Sequence, residues 1–93
     1  MDDWYKEIAR KQDEIHRFLL NKIEGLNLDV SFGIVRDVSY NPDDLSTWII
    51  YIDDTETVLT PDILLPYLSE HKDLQIALTR FLRDQFPNFE HLL

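Results

Sequence analysis

Apolar positions recur at helical spacing through residues 2–24, where Trp4, Ile8, Ile15, Leu19 and Ile23 fall on one stripe widened by Tyr5, Phe18 and Leu20. The pattern predicts one amphipathic helix. Opposite charges four apart line its polar side at Asp2/Lys6, Glu7/Lys11, Arg10/Glu14 and Asp13/Arg17, each pair adding about 0.2–0.5 kcal/mol. Gly25 should end the helix by taking positive φ, with Leu26 closing back over Leu20.

The period then changes to two. Leu28, Val30, Phe32, Ile34, Val38 and Tyr40 share one parity, and Asp29, Ser31, Gly33, Asp37 and Ser39 share the other. This is the signature of a half-buried strand. Arg36 interrupts the apolar parity, so either a bulge lies near residues 33–36 or the arginine reaches past the sheet edge. Asn41, Pro42, Asp43 and Asp44 are turn formers, so residues 47–53 should return as the second strand of a hairpin. Residues 53–56 offer a second tight turn leading to a short strand at residues 57–59.

Thr60, Pro61 and Asp62 read as N-cap, first and second positions of another helix. Pro66 removes a backbone donor five residues later, so this helix is expected to kink or to split into two short turns, ending near residues 69–71. A last helix over residues 72–85 places Leu74, Leu78, Phe81, Leu82 and Gln85/Phe86 on one face until Pro87 stops it. The tail should dock through Phe89 and Leu92. The order α-β-β-(β)-α-α defines a single small α+β domain, an antiparallel hairpin or three-stranded sheet packed against helices.

Length and composition agree with this reading. A chain of 93 residues with 44% hydrophobic content supports one core and excludes extensive disorder. It contains no cysteine, which rules out disulfides and thiolate metal sites. The start at Met1-Asp2-Asp3 lacks the pattern of a secretory signal, and no apolar run reaches membrane-spanning length, so the cytoplasm is the expected compartment.

Charge changes the picture most. The net charge is −9, which disfavours phosphate backbones and anionic lipid surfaces because both are held by Lys and Arg. Residues 1–25 carry five basic against six acidic side chains, residues 26–62 one against eight, and residues 63–93 three against four. The excess therefore belongs to the β segment, at Asp29, Asp37, Asp43, Asp44, Asp53, Asp54, Glu56 and Asp62, opposed there only by Arg36.

Motifs for catalysis are lacking. His16, His71 and His91 are not spaced to share a metal and read as solvent-facing or helix-end residues, and no serine stands in a nucleophile elbow. Two glycines are too few for a phosphate-cradling loop, so no cofactor is expected. Asp53, Asp54 and Glu56 could supply oxygen ligands to a hard cation, but they lack the spacing of a calcium loop, and acidic turns are usually only solvated. A hydrolase built on paired carboxylates would need a cleft that nothing here indicates.

What is left is binding. By parity Val35 shares a face with Asp29 and Asp37, and Ile49 and Tyr51 share one with Asp53, giving an apolar and aromatic centre inside an acidic frame if that face is open. If helices cover it, the second strand is merely sandwiched and the acids guard the edges against aggregation. The expected contact set is Asp29, Val35, Asp37, Asp43, Asp44, Ile49, Tyr51, Asp53, Asp54 and Glu56. The partner would be a protein with a basic surface, including one that binds nucleic acid, masked as immunity proteins and nuclease inhibitors mask theirs; that comparison rests on size and charge alone. The alternative is a non-catalytic oligomeric subunit of adaptor or secretion-chaperone type, such as a homodimer joined through the same apolar surface.

Overall fold

The computed structural model describes residues 2–37 and 47–93, with the side chains of Asp2, Asp3 and Tyr5 left aside. Its elements run α1 (Asp2–Arg10), α2 (Gln12–Glu24), β1 (Phe32–Asp37), β2 (Thr47–Ile52), β3 (Thr55–Leu59), α3 (Pro61–His71), α4 (Leu74–Gln85) and a terminal 3-10 helix, Pro87–Leu92. The strands form one antiparallel sheet in the order β1-β2-β3. This is an α+β domain with its helices on a three-stranded antiparallel sheet. Among the described residues, no helix is long and apolar enough to cross a membrane.

The single N-terminal helix expected from the periodicity is in fact two, separated at Lys11. Lys11 has φ −110° and ψ 23°, off the helical values, yet its N–H still reaches the carbonyls of Glu7 and Ile8. The division follows the packing, since α1 lies against α3 whereas α2 lies against β1 and α4. The polar pairs also rearrange. Glu7 takes both Arg10 and Lys11, and Asp13 turns to Arg36 instead of Arg17.

Helix ends show which local forces prevail. Gly25 keeps right-handed geometry at φ −66°, and the chain exits through Asn27 at φ 54°, a residue whose short polar side chain tolerates that region. Thr60 caps α3 as expected, its hydroxyl accepting from the Ile63 N–H at 3.2 Å. The helix runs unbroken through Pro66. Pro66 and Asp62 are both exposed, so the carbonyl that loses its donor faces solvent rather than the core. Lys72 ends α3 in the left-handed region, and Asp73 caps α4 by accepting from the Ile76 N–H at 3.0 Å, so the last helix begins two residues later than its apolar pattern suggests.

The core joins Ile8, Ile15, Leu19 and Ile23 of the N-terminal helices to Trp48, Ile50, Ile52 and Leu59 of the sheet. Leu64, Leu68, Ala77, Leu78, Phe81, Leu82 and Phe86 close it from the C-terminal side. Phe89 and Leu93 pack against this cluster, while Leu92, expected to dock, stays 45% exposed. Leu28 and Val30 pack against it from the segment before β1, which starts only at Phe32. The continuation of the first strand at Val38 and Tyr40 and the turn at residues 41–44 lie outside the described residues.

Candidate functional site

The sheet register assigns every strand residue to a face. β1 pairs with β2 without interruption from Phe32↔Ile52 to Asp37↔Thr47, so there is no bulge at residues 33–36. β2 pairs with β3 from Trp48↔Leu59 to Ile52↔Thr55. Buried Trp48, Ile50, Ile52 and Leu59 turn toward the helices. Neighbouring positions must point the other way.

On that other side Val35, Ile49 and Val58 form one row across the three strands. Val35 is 53% and Val58 42% exposed, and Ile49 between them is partly shielded. At roughly 4.8 Å per strand the row spans about 10 Å. The next row is Gly33, Tyr51 and Glu56. Tyr51 lies over Gly33 so closely that a Cβ there would sit 2.7 Å from its hydroxyl oxygen. The missing side chain makes the seat for the ring, and one edge of Tyr51 stays open to solvent. No helix covers this face among the described residues.

The acidic frame is distributed at both ends. Asp37 closes β1 on the open parity, about 13 Å along the strand from Gly33 at some 3.3 Å per residue. At the opposite end stand Asp53, Asp54 and Glu56, with Asp29 nearby, because Ser31 accepts from the Asp53 N–H at 2.6 Å. All five are exposed, and none forms an ion pair among the described residues. Asp43 and Asp44 lie outside those residues.

Three expectations about this frame need correction. Asp29 lies in a bend before β1, so strand parity does not govern it. Asp53 belongs to the two-residue turn Asp53-Asp54, with φ 56°, and not to the β2 face. Glu56 lies inside β3, because the turn is tighter and the strand two residues longer than its sequence suggests. Residues missed beforehand are Val58 and Gly33. The β-branched alternation of residues 55–59 would have placed Val58 beside Ile49 once the turn was fixed at two residues.

Arg36, the one basic residue of the β segment, is turned to the helix side. Its guanidinium donates to Asp13 Oδ1 at 2.6 Å and stands 5.9 Å from the Trp48 ring centre. There is no bulge, and Arg36 reaches from the edge strand β1 to Asp13 of α2 on the helix side. The hydrogen bond and charge of Arg36 hold the Asp13 carboxyl below its usual value, against a small opposing effect of burial. The open face is left without a cation of its own from this segment.

Elsewhere two polar side chains join distant elements. His16, expected in solvent, is half-buried and accepts at Nδ1 from Trp48 Nε1 at 3.2 Å. Tyr67 donates to Asp84 Oδ2 at 2.8 Å, and burial followed by that bond raises its phenol above the usual value. Among the described residues no group of three His, Asp or Glu side chains converges to hold a metal ion. Comparison of the chain with family models, with curated proteins and with solved structures finds no match in any of the three.

Proposed function

We propose that this protein is a small acidic binding module whose open sheet face masks a basic surface of a partner protein, in the manner of an inhibitor or immunity protein. One observation carries the reading. The only cation of a segment with eight acids is held on the helix side by Asp13, which leaves Val35, Ile49, Tyr51 and Val58 exposed or half-exposed between carboxylates that form no ion pair among the described residues. An apolar centre supplies contact energy, and a charged rim supplies rate and selectivity. Such a module needs no catalytic group, cofactor or metal. It would act on a basic protein and leave nucleic acid and membranes alone, since both are anionic.

Assembly of identical chains through this face, as in an adaptor or chaperone-like subunit, would bring two frames of the same sign together. Charge therefore favours the basic partner. The test is capture of binding proteins from native lysate with nuclease present, across a salt series, using wild type and a D53N/D54N/E56Q variant. A defined basic protein that is retained at low salt, released as salt rises and lost with the variant is the expected result. Retention indifferent to both salt and the three substitutions would overturn the proposal.

A further inference from the structure

β3 is an edge strand with β2 as its one strand neighbour among the described residues, and its contacts with the helices, Leu59 in the core and Thr57 Oγ1 donating to Gln85 Oε1, lie on the helix face. The hydrogen-bond register then says which groups β3 leaves over. The Asp53 N–H bonds to the Ser31 carbonyl, which makes the odd residues 33, 35 and 37 of β1 the hydrogen-bonded partners of 51, 49 and 47. In β2 this leaves Trp48, Ile50 and Ile52 to bond with Leu59, Thr57 and Thr55. Glu56 and Val58 must therefore turn their N–H and C=O groups outward, at an edge where both side chains also lie exposed on the open face.

Resting on the proposed function for the sign of the partner's charge, we infer that the outer edge of β3 takes an extended basic segment of that partner as a fourth, antiparallel strand. The edge supplies two donors and two acceptors at residues 56 and 58, enough to fix the direction and register of an added strand. The two rows of the face would each lengthen by one residue. Beside Val58 the row Val35-Ile49-Val58 calls for an apolar side chain. Beside Glu56, with Asp54 close in the turn, the row calls for Lys or Arg. The segment recognised thus alternates a cation and an apolar residue two positions apart. A second copy of this chain fits the same edge poorly, because it would set Glu56, Asp53 and Asp54 of two chains with net charge −9 against each other.

The probe is the blocked heptapeptide Thr-Lys-Thr-Val-Thr-Lys-Thr, followed by amide hydrogen exchange and NMR shifts on the full chain. Binding should slow exchange at the Glu56 and Val58 amides by about tenfold or more under saturation. Methylating the peptide's valine nitrogen should weaken binding at least about tenfold, and so should Val58→Pro, which removes an outward N–H at an edge position where proline is tolerated. The methylated peptide keeps the test decisive if the proline variant folds poorly. Replacing the two lysines by glutamates should abolish binding.

Several results would overturn the inference: no binding of the lysine peptide, binding indifferent to both N–H deletions, or light scattering showing a dimer that already protects the same amides. Shifts confined to Val35, Ile49 and Tyr51 without amide protection would also refute strand addition, while leaving the acidic face as a docking surface. Failure of that broader reading is recorded separately, by partner capture that ignores D53N/D54N/E56Q.

Discussion

Trp48 Nε1 donates to His16 Nδ1 at 3.2 Å, tying the central strand to the middle of α2. Trp48 is fully buried, so its indole N–H would otherwise stand in the core with no acceptor. The bond requires a neutral imidazole carrying its proton on Nε2. His16→Leu should destabilise the domain by about 1–3 kcal/mol, the usual cost of an orphaned buried donor. Denaturant unfolding checks this, and nitrogen NMR of the His16 ring should show the Nε2–H form. A double-mutant cycle with Trp48→Phe should return a coupling near 1 kcal/mol, and additive single changes would show that the bond contributes nothing.

Asp13 and Arg36 give a pH dependence of known sign. The folded-state value of Asp13 is depressed, mainly by its hydrogen bond to Arg36 and then by that residue's charge. Its contribution to stability is therefore fully present above the ordinary value near 3.8 and is lost as pH falls through the lower folded value. Proton NMR of Asp13 should show a midpoint below 3.8, returning toward it in Arg36→Met. An unchanged midpoint in that variant would remove Arg36 as the cause.

Pro66 leaves the Asp62 carbonyl without its helical donor inside an otherwise continuous α3. Pro66→Ala restores that donor at an exposed site and should stabilise the protein by about 1–3 kcal/mol. Thermal unfolding would then shift upward by roughly 4–24 °C, from about 4–8 °C per kcal/mol for a domain of this size. A lower midpoint would mean that the proline's rigidity outweighs the missing bond.

Gly33 and Tyr51 test the site without altering charge. An alanine methyl at position 33 would meet the far end of the Tyr51 ring, which can swing away, so Gly33→Ala should change stability by less than about 1 kcal/mol. The ring should leave β1, seen as shifts of its aromatic protons. Partner capture should weaken because an anchor has lost its seat. Unmoved ring signals would contradict the close approach.

Much of the fold could be read from periodicity. The change from a spacing near 3.6 to one of two located the sheet, and Thr60-Pro61 marked the start of α3 to the residue. What escaped depended on contacts distant in sequence. The apolar stripe skips one turn at Lys11 and Gln12, between Ile8 and Ile15, but polar residues there need not break a helix, and the different partners of α1 and α2 account for the division. Gly25 carried the usual signal for a helix stop, yet Asn27 took the left-handed turn. His16 and Arg36 gave no local sign of finding Trp48 and Asp13, 32 and 23 residues away. At the site, parity correctly grouped Val35 with Asp37 and Ile49 with Tyr51. Whether that face was open depended on where the helices went, and Val58 joined it only once the turn was set at two residues.

A sheet with helices on one side only divides its residues between two kinds of selection. Trp48, Ile50, Ile52 and Leu59 answer to the core, where the loss of a few carbons costs about 2–5 kcal/mol. Val35, Ile49, Tyr51 and Val58 answer mostly to whatever lies outside, and surface changes there rarely exceed about 0.5 kcal/mol. A lineage could therefore rewrite every second letter of its strands, while the letters between kept the domain folded.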